Sequence, residues 1–173
     1  MTSSDKSEAT MANFIHESAK ISPHAIIDIS TQGTHTYIGE HCVIDDFVKI
    51  KHVGGQGDIK IGNYVYLNSG TVIYSGNGVS IGNNVLMGPN CSIVPVNHSF
   101  KDKEIPMRLQ GFSPSKGGIV IEEDVWLGAG VIVLDGAIIR KGAVIGAGSV
   151  VSGEIKAFSI AAGNPCKIIR ERK

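Results

Sequence analysis

The amino-acid sequence predicts an all-β chain: a parallel β-solenoid of about six coils, interrupted by one long loop excursion and closed by a short C-terminal tail. Three observations carry this expectation. An aliphatic residue returns at every sixth position, glycine accounts for 22 of 173 residues, and aromatic residues make up only 6%. A bulky globular core asks for more aromatic side chains and less glycine, so a regular architecture with many tight turns is expected instead.

The repeat is clearest in Ile121, Leu127, Val133, Ile139, Ile145 and Val151. The fourth residue after each is Val125, Val131, Ala137, Ala143, Ser149 and Ile155, mostly small or β-branched. The same register runs upstream through Ile38, Ile44 and Ile50, then Ile61, Leu67 and Ile73, then Ile81, Met87 and Ile93, with a weaker start at Ile15, Ile21 and Ile27. A helix repeats near 3.6 residues and a half-buried strand alternates, so neither accounts for the period. A triangular coil of three short strands does, with one large and one small side chain per side turned inward. Gly39, Gly62, Gly82, Gly128 and Gly146 follow the aliphatic residue, and Asn63, Asn83, Asp124 and Gly142 fall in the turns, where a sharp bend can require positive φ.

The spacing between coils is uneven. Ile38 to Ile61 is 23 residues, with the surplus in Gly54-Gly55-Gln56-Gly57, and Ile61 to Ile81 is 20. Ile81 to Ile121 is 40, which expels an excursion over residues 96–117. Excursions of that length in an economical repeat tend to be functional, and this one carries Asn97, His98, Phe100, Met107, Leu109, Gln110 and Phe112. Outward positions hold a second pattern, because Val43, Tyr66, Leu86, Trp126 and Val144 recur once per coil and should stack on one outer face. An apolar stripe of this kind is expected to be covered by another subunit or a ligand.

The organisation expected is a disordered segment over 1–12, the solenoid over 13–156, and a cap with a basic tail over 157–173. Sixteen basic and sixteen acidic residues cancel, which gives no reason to expect a nucleic-acid partner. Only the end is basic, with Lys167, Arg170, Arg172 and Lys173 against Glu171. Cys42, Cys91 and Cys166 are too widely spaced for a disulfide framework or a paired-cysteine zinc site, which fits a reducing compartment. Neither a signal peptide nor a long apolar run is visible, so a cytoplasmic location without stable membrane insertion is expected.

The Ile-Gly-x-x-Val units resemble those of the hexapeptide-repeat acyltransferases. Three further stretches sharpen the likeness to the sugar O-acetyltransferase branch: Pro95-Val96-Asn97-His98, Val125-Trp126-Leu127-Gly128-Ala129-Gly130, and Ala161-Ala162-Gly163-Asn164-Pro165-Cys166-Lys167. The resemblance implies a single-stranded left-handed parallel β-helix, assembled as a homotrimer with active sites between subunits. It implies acetyl-CoA as cosubstrate and a sugar as acceptor, in surface polysaccharide biosynthesis. His98 matches the family's catalytic histidine, which acts as a general base. Asn68 falls where galactoside-type enzymes place an asparagine that contacts the acceptor, and Asn97 is a polar candidate beside His98. Asp102 and Glu104 are candidate orienting carboxylates. Trp126, Gly128, Ala129, Ala147 and Gly148 match the region along the CoA arm, with Pro165 at the tail junction and Lys167 and Arg170 near the phosphates.

Ser152-Gly153 stands where many relatives have Thr-Lys, so a phosphate contact is missing or supplied by Lys156. Two other readings stay open. One is N-acetyl transfer to an amino sugar or nucleotide-linked amino sugar, with the same donor site. The other is a non-catalytic scaffold, or a carbonic-anhydrase-like metal enzyme of the same fold. The metal enzyme would need three converging imidazoles, and His41 and His52 lie in different coils without the expected spacing. No metal is expected.

Overall fold

The computed structural model describes residues 13–173, which are built almost entirely of short strands. Segment 1–12, expected to be disordered, lies outside the described residues. The first sheet stacks Phe14–Ile15, Thr36–Ile38, Ile59–Ile61, Val79–Ile81, Ile119–Ile121, Ile138–Ile139 and Glu154–Ile155. The second stacks Lys20–Ile21, Val43–Ile44, Tyr66–Leu67, Leu86–Met87, Trp126–Leu127, Val144–Ile145 and Ser159–Ala162. The third stacks Ile26–Ile27, Lys49–Lys51, Val72–Tyr74, Ser92–Val94, Ile132–Leu134 and Val150–Val151. Six coils therefore close on all three sides, and Glu154–Ile155 with Ser159–Ala162 begins a seventh that runs past residue 156. Lys167–Glu171 then folds back antiparallel on Ser159–Ala162 and ends the stack.

Each strand is short because only two or three residues fit along one side before the chain must turn. The interior follows from the six-residue register. Ile44, Leu67, Met87, Leu127 and Ile145 pair in sequence across the second sheet, each at most 1% exposed. The small positions Val85, Val125, Cys91 and Val131 are equally enclosed. Cys42 and Cys91 act as small interior residues: burial pushes both thiols up, and each donates to a carbonyl, Cys42 Sγ to Gly62 O at 3.0 Å and Cys91 Sγ to Gly88 O at 3.2 Å.

The corner glycines serve a purpose other than the expected one. Gly82 and Gly128 do not have positive φ; a Cβ on either would sit 2.6 Å from the backbone nitrogen of the next coil, at Glu123 and Ala147. Glycine is needed there for close approach of stacked coils. The left-handed turn falls two residues further on, at His41, Tyr64, Asn84 and Gly130, with φ between 54° and 67°, whereas the turn residues Asp124 and Gly142 have positive φ themselves.

All the surplus chain leaves at one edge of the prism, where the third sheet hands over to the first. Residues 28–35, 52–58, 75–78 and 95–118 lie there in successive coils. They are stitched together: Gly57 N–H donates to Gly76 O at 3.0 Å and Ile119 N–H to Gly78 O at 3.0 Å. His52 is wedged beneath, with Nδ1 2.7 Å from Thr34 Oγ1 and Nε2 3.1 Å from Thr36 Oγ1.

Candidate active site

His98 lies three residues beyond the buried Pro95, on the outgoing arm of the long excursion. The two arms pair as a short antiparallel ladder: Ser99 N–H donates to Gly111 O at 3.0 Å and Ser113 N–H to Asn97 O at 2.7 Å. His98 Nδ1 is 3.2 Å from the same Gly111 oxygen. A carbonyl can only accept, so Nδ1 carries the proton and Nε2 keeps its lone pair. The ring also rests on Phe112, centroids 4.8 Å apart, and Phe112 in turn lies over the backbone of Gly54. His98 is exposed.

Neither carboxylate weighed from the sequence orients this ring. Asp102 Oδ1 accepts the Glu104 N–H at 2.9 Å, and Gln110 closes the local turn by donating to Asp102 O and Ile105 O, each at 2.6 Å. Gly111 does the orienting, and no side-chain pattern could have marked it, because the contribution is a backbone carbonyl.

Asn68 occupies a different edge, where the second sheet turns into the third. Its Oδ1 accepts the Ser69 N–H at 2.9 Å, which shapes the corner. Gly128, Ala129, Ala147 and Gly148 stand on that same edge in higher coils, joined by Gly148 N–H to Ala129 O at 2.9 Å and Gly130 N–H to Pro89 O at 2.8 Å. Pro165 adjoins it above, since Cys166 N–H donates to Val150 O at 2.9 Å. Within one chain the structure thus groups Asn68 with the small corner residues and Asn97 with His98. The two groups stand at opposite ends of the third face, on the order of 15–20 Å apart for about six extended residues at about 3.3 Å each.

Tyr66, Leu86 and Trp126 do stack outward on the second sheet, 36%, 45% and 51% exposed. Leu86, Trp126, Val144 and Ile160 line a shallow groove of about 480 Å³ whose rim includes Arg172. Arg172 is held there by Asp124 Oδ2 at 3.0 Å and Gly142 O at 3.1 Å. It was legible only as one of several tail cations. Lys167 and Arg170, the two singled out, lie exposed on the terminal strand opposite Ala162 and Ile160. Ser152-Gly153 is on the excursion edge, away from Ala147 and Gly148.

Among the described residues no three His, Cys, Asp or Glu side chains converge as a metal site, and no helix is long and apolar enough to cross a membrane. His41 is stacked on Tyr64 at 5.0 Å, while both ring nitrogens of His52 are engaged by threonine hydroxyls.

A stacked hexapeptide register and one histidine-bearing excursion define a recognisable class, and comparison with known proteins agrees. Residues 118–153 match the family model described as bacterial transferase hexapeptide (six repeats), so the chain carries a hexapeptide-repeat domain of that type. A galactoside O-acetyltransferase of Lactococcus lactis subsp. lactis is 37% identical over 134 residues, 78% of this chain and 62% of that protein. An Escherichia coli K12 protein, WbbJ, whose name assigns it to O-acetyl transfer in lipopolysaccharide biosynthesis, is 38% identical over 123 residues, 68% of this chain and 62% of its own length. The chain therefore spans about three-fifths of these relatives. Among solved structures, a variant of the Bacillus cereus N-acyltransferase AntD, in complex with dTDP-4-amino-4,6-dideoxyglucose and coenzyme A, superposes with a TM-score of 0.77 at 22% identity, covering 93% of this chain and 84% of that one. The fold is the left-handed parallel β-helix of these proteins.

Proposed function

We propose that the protein is an acetyl-CoA-dependent O-acetyltransferase that acylates a sugar hydroxyl, with His98 as general base. The observation that carries this reading is the Nδ1 bond to Gly111 O, which leaves Nε2 as the proton acceptor on an exposed ring. The acceptor hydroxyl attacks the thioester carbonyl while Nε2 takes its proton; the tetrahedral oxyanion then collapses, the C–S bond breaks, and the departing thiolate receives that proton. No covalent enzyme intermediate is needed.

The donor is assigned to the corner formed by Gly128, Ala129, Ala147 and Gly148. The small side chains there let backbone amides approach a pantetheine arm, with Trp126 alongside, Pro165 above, and Lys167 and Arg170 near the phosphates. Asn68 lies on that edge and is assigned to the acceptor; Asn97 is a polar group beside the base. Since His98 stands on the other edge, one complete site requires two copies of the chain. The exposed Tyr66, Leu86 and Trp126 column supplies apolar surface for such packing. A homotrimer, in which the His98 edge of each copy meets the donor edge of the next, is the closed ring proposed. The setting proposed is cytoplasmic, in surface polysaccharide biosynthesis, supported by the likeness to WbbJ.

Release of free CoA from acetyl-CoA, measured against a panel of sugars, amino sugars and nucleotide sugars, tests this reading. Turnover is expected with hydroxyl acceptors. Turnover with amines alone overturns O-transfer in favour of the N-acetyl alternative, and absence of CoA binding in calorimetry favours a scaffold.

A further inference from the structure

Asp135 is the one charged side chain among the described residues that is buried, at 4% exposure. It follows the Ile132–Leu134 strand and lies on the excursion edge, one coil beyond the gap. Its hydrogen-bond partners are all N–H groups. Oδ2 accepts from Lys116 N–H at 2.8 Å, Oδ1 from Gly118 N–H at 3.0 Å, and Asn77 Nδ2 donates to Oδ2 at 3.3 Å. The same Asn77 amide donates to Pro95 O at 2.9 Å. One carboxylate and one amide thus tie together the two feet of the excursion, Pro95 on the way out and Lys116 to Gly118 on the way back.

The backbone is shaped to suit. Gly117 and Gly118 have φ of +110° and +79°, a conformation that helps turn nearby N–H groups into an anion-binding concavity. A Cβ on Gly118 would stand 2.5 Å from Gly78 O, so the foot also fits closely against the coil below. Burying a carboxylate is costly, and turning the corner does not require one: Ser152-Gly153 closes the same corner a coil later with no acid. What distinguishes the Asp135 corner is the excursion it holds.

That excursion carries His98. Its outgoing arm follows directly from Pro95, whereas the returning arm, which carries Gly111 and Phe112, reaches the coil again through Lys116 to Gly118. The ladder bonds of Ser99 and Ser113 hold the two arms to each other, and the feet hold both arms to the coil. We propose that Asp135, acting through Asn77 and the two feet, is a positioning residue that sets the tautomer and aim of the His98 ring. This inference rests on the reading of His98 as the base.

Imidazole nitrogen NMR of the full chain tests it without any turnover. In the parent protein the His98 ring should be in the Nδ1–H tautomer. Asp135→Asn preserves size but turns an amide N–H toward groups that are themselves donors. The ring is then expected to shift toward the Nε2–H tautomer that an unconstrained histidine side chain prefers. Amide exchange at Lys116 and Gly118 should rise at least about tenfold, and kcat should fall about 10- to 100-fold with the KM for acetyl-CoA little changed. A tautomer that stays put, even with faster exchange at the feet, reduces Asp135 to a staple and overturns the proposal. Should Asp135→Asn fail to fold, Asn77→Ala removes the amide that bridges Asp135 Oδ2 to Pro95 O, leaves the Lys116 and Gly118 bonds to Asp135 in place, and should move the tautomer in the same direction; no movement overturns the proposal equally. If His98→Ala retains full turnover while the tautomer still responds, the base assignment fails and the positioning stands.

Discussion

The imidazole of His98 is oriented by the backbone carbonyl of Gly111, 3.2 Å from Nδ1, and not by a carboxylate. A neutral oxygen fixes the tautomer without placing a full negative charge against the ring. Phe112 completes the support by packing against one ring face.

The two nearby acids should consequently be dispensable for chemistry. Asp102→Asn keeps the Oδ1 that accepts the Glu104 N–H, and Glu104→Gln leaves that donor in place. Both variants should retain kcat/KM within about two- to threefold, since most surface changes away from special features have small effects. A hundredfold loss in either would restore a carboxylate to the mechanism.

Acid should loosen the excursion edge through His52. Burial lowers its pKa from the ordinary 6.5, outweighing the opposing pull of Asp28 and Asp58, with His35 acting in the same direction as burial. The unfolded chain then binds more protons over the interval below 6.5, so this residue's contribution is present above that pH and is lost as pH falls toward the folded pKa. Urea midpoints measured at about pH 7.5 and about pH 5 should differ less in His52→Gln than in the parent. An unchanged difference would show that other groups govern the slope.

Each coil leans on its neighbours, so an interior deletion should be felt across the stack. Leu127, fully enclosed between Met87 and Ile145, should cost about 2–5 kcal/mol as Leu127→Ala, read from denaturant unfolding. A loss below about 1 kcal/mol would mean that the coil collapses around the gap.

The outer column is expected to be an interface. Leu86→Arg places a charge at the middle of the Tyr66, Leu86, Trp126 stack and should shift sedimentation from an oligomer to a smaller species. Unaltered sedimentation would remove this face from the assembly.

The coil was legible because a triangular interior admits only one large and one small inward residue per side, a demand that Ile121, Leu127 and Val133 repeat in plain view. The excursion was visible as a break in that register, which exposed His98, and the stacking of Tyr66, Leu86 and Trp126 followed from the same period. Other features left no such mark. The orienting group at Gly111 is a carbonyl common to every residue. The purpose of Gly82 and Gly128 depends on how closely two coils approach. Asp135 reads as an ordinary turn acid until Lys116 and Gly118, nearly twenty residues earlier, are seen to point at it. The separation of Asn68 from His98 onto two edges needs the order of sheets around the prism.

The most direct test of the central claim is CoA release by His98→Ala, paired with calorimetric binding of CoA to the same variant. Turnover on the best sugar acceptor should fall by about 10²- to 10⁴-fold while CoA affinity stays within about twofold of the parent, because a base at Nε2 acts on the acceptor and not on the donor. Turnover equal to that of the parent protein would contradict general-base catalysis by His98.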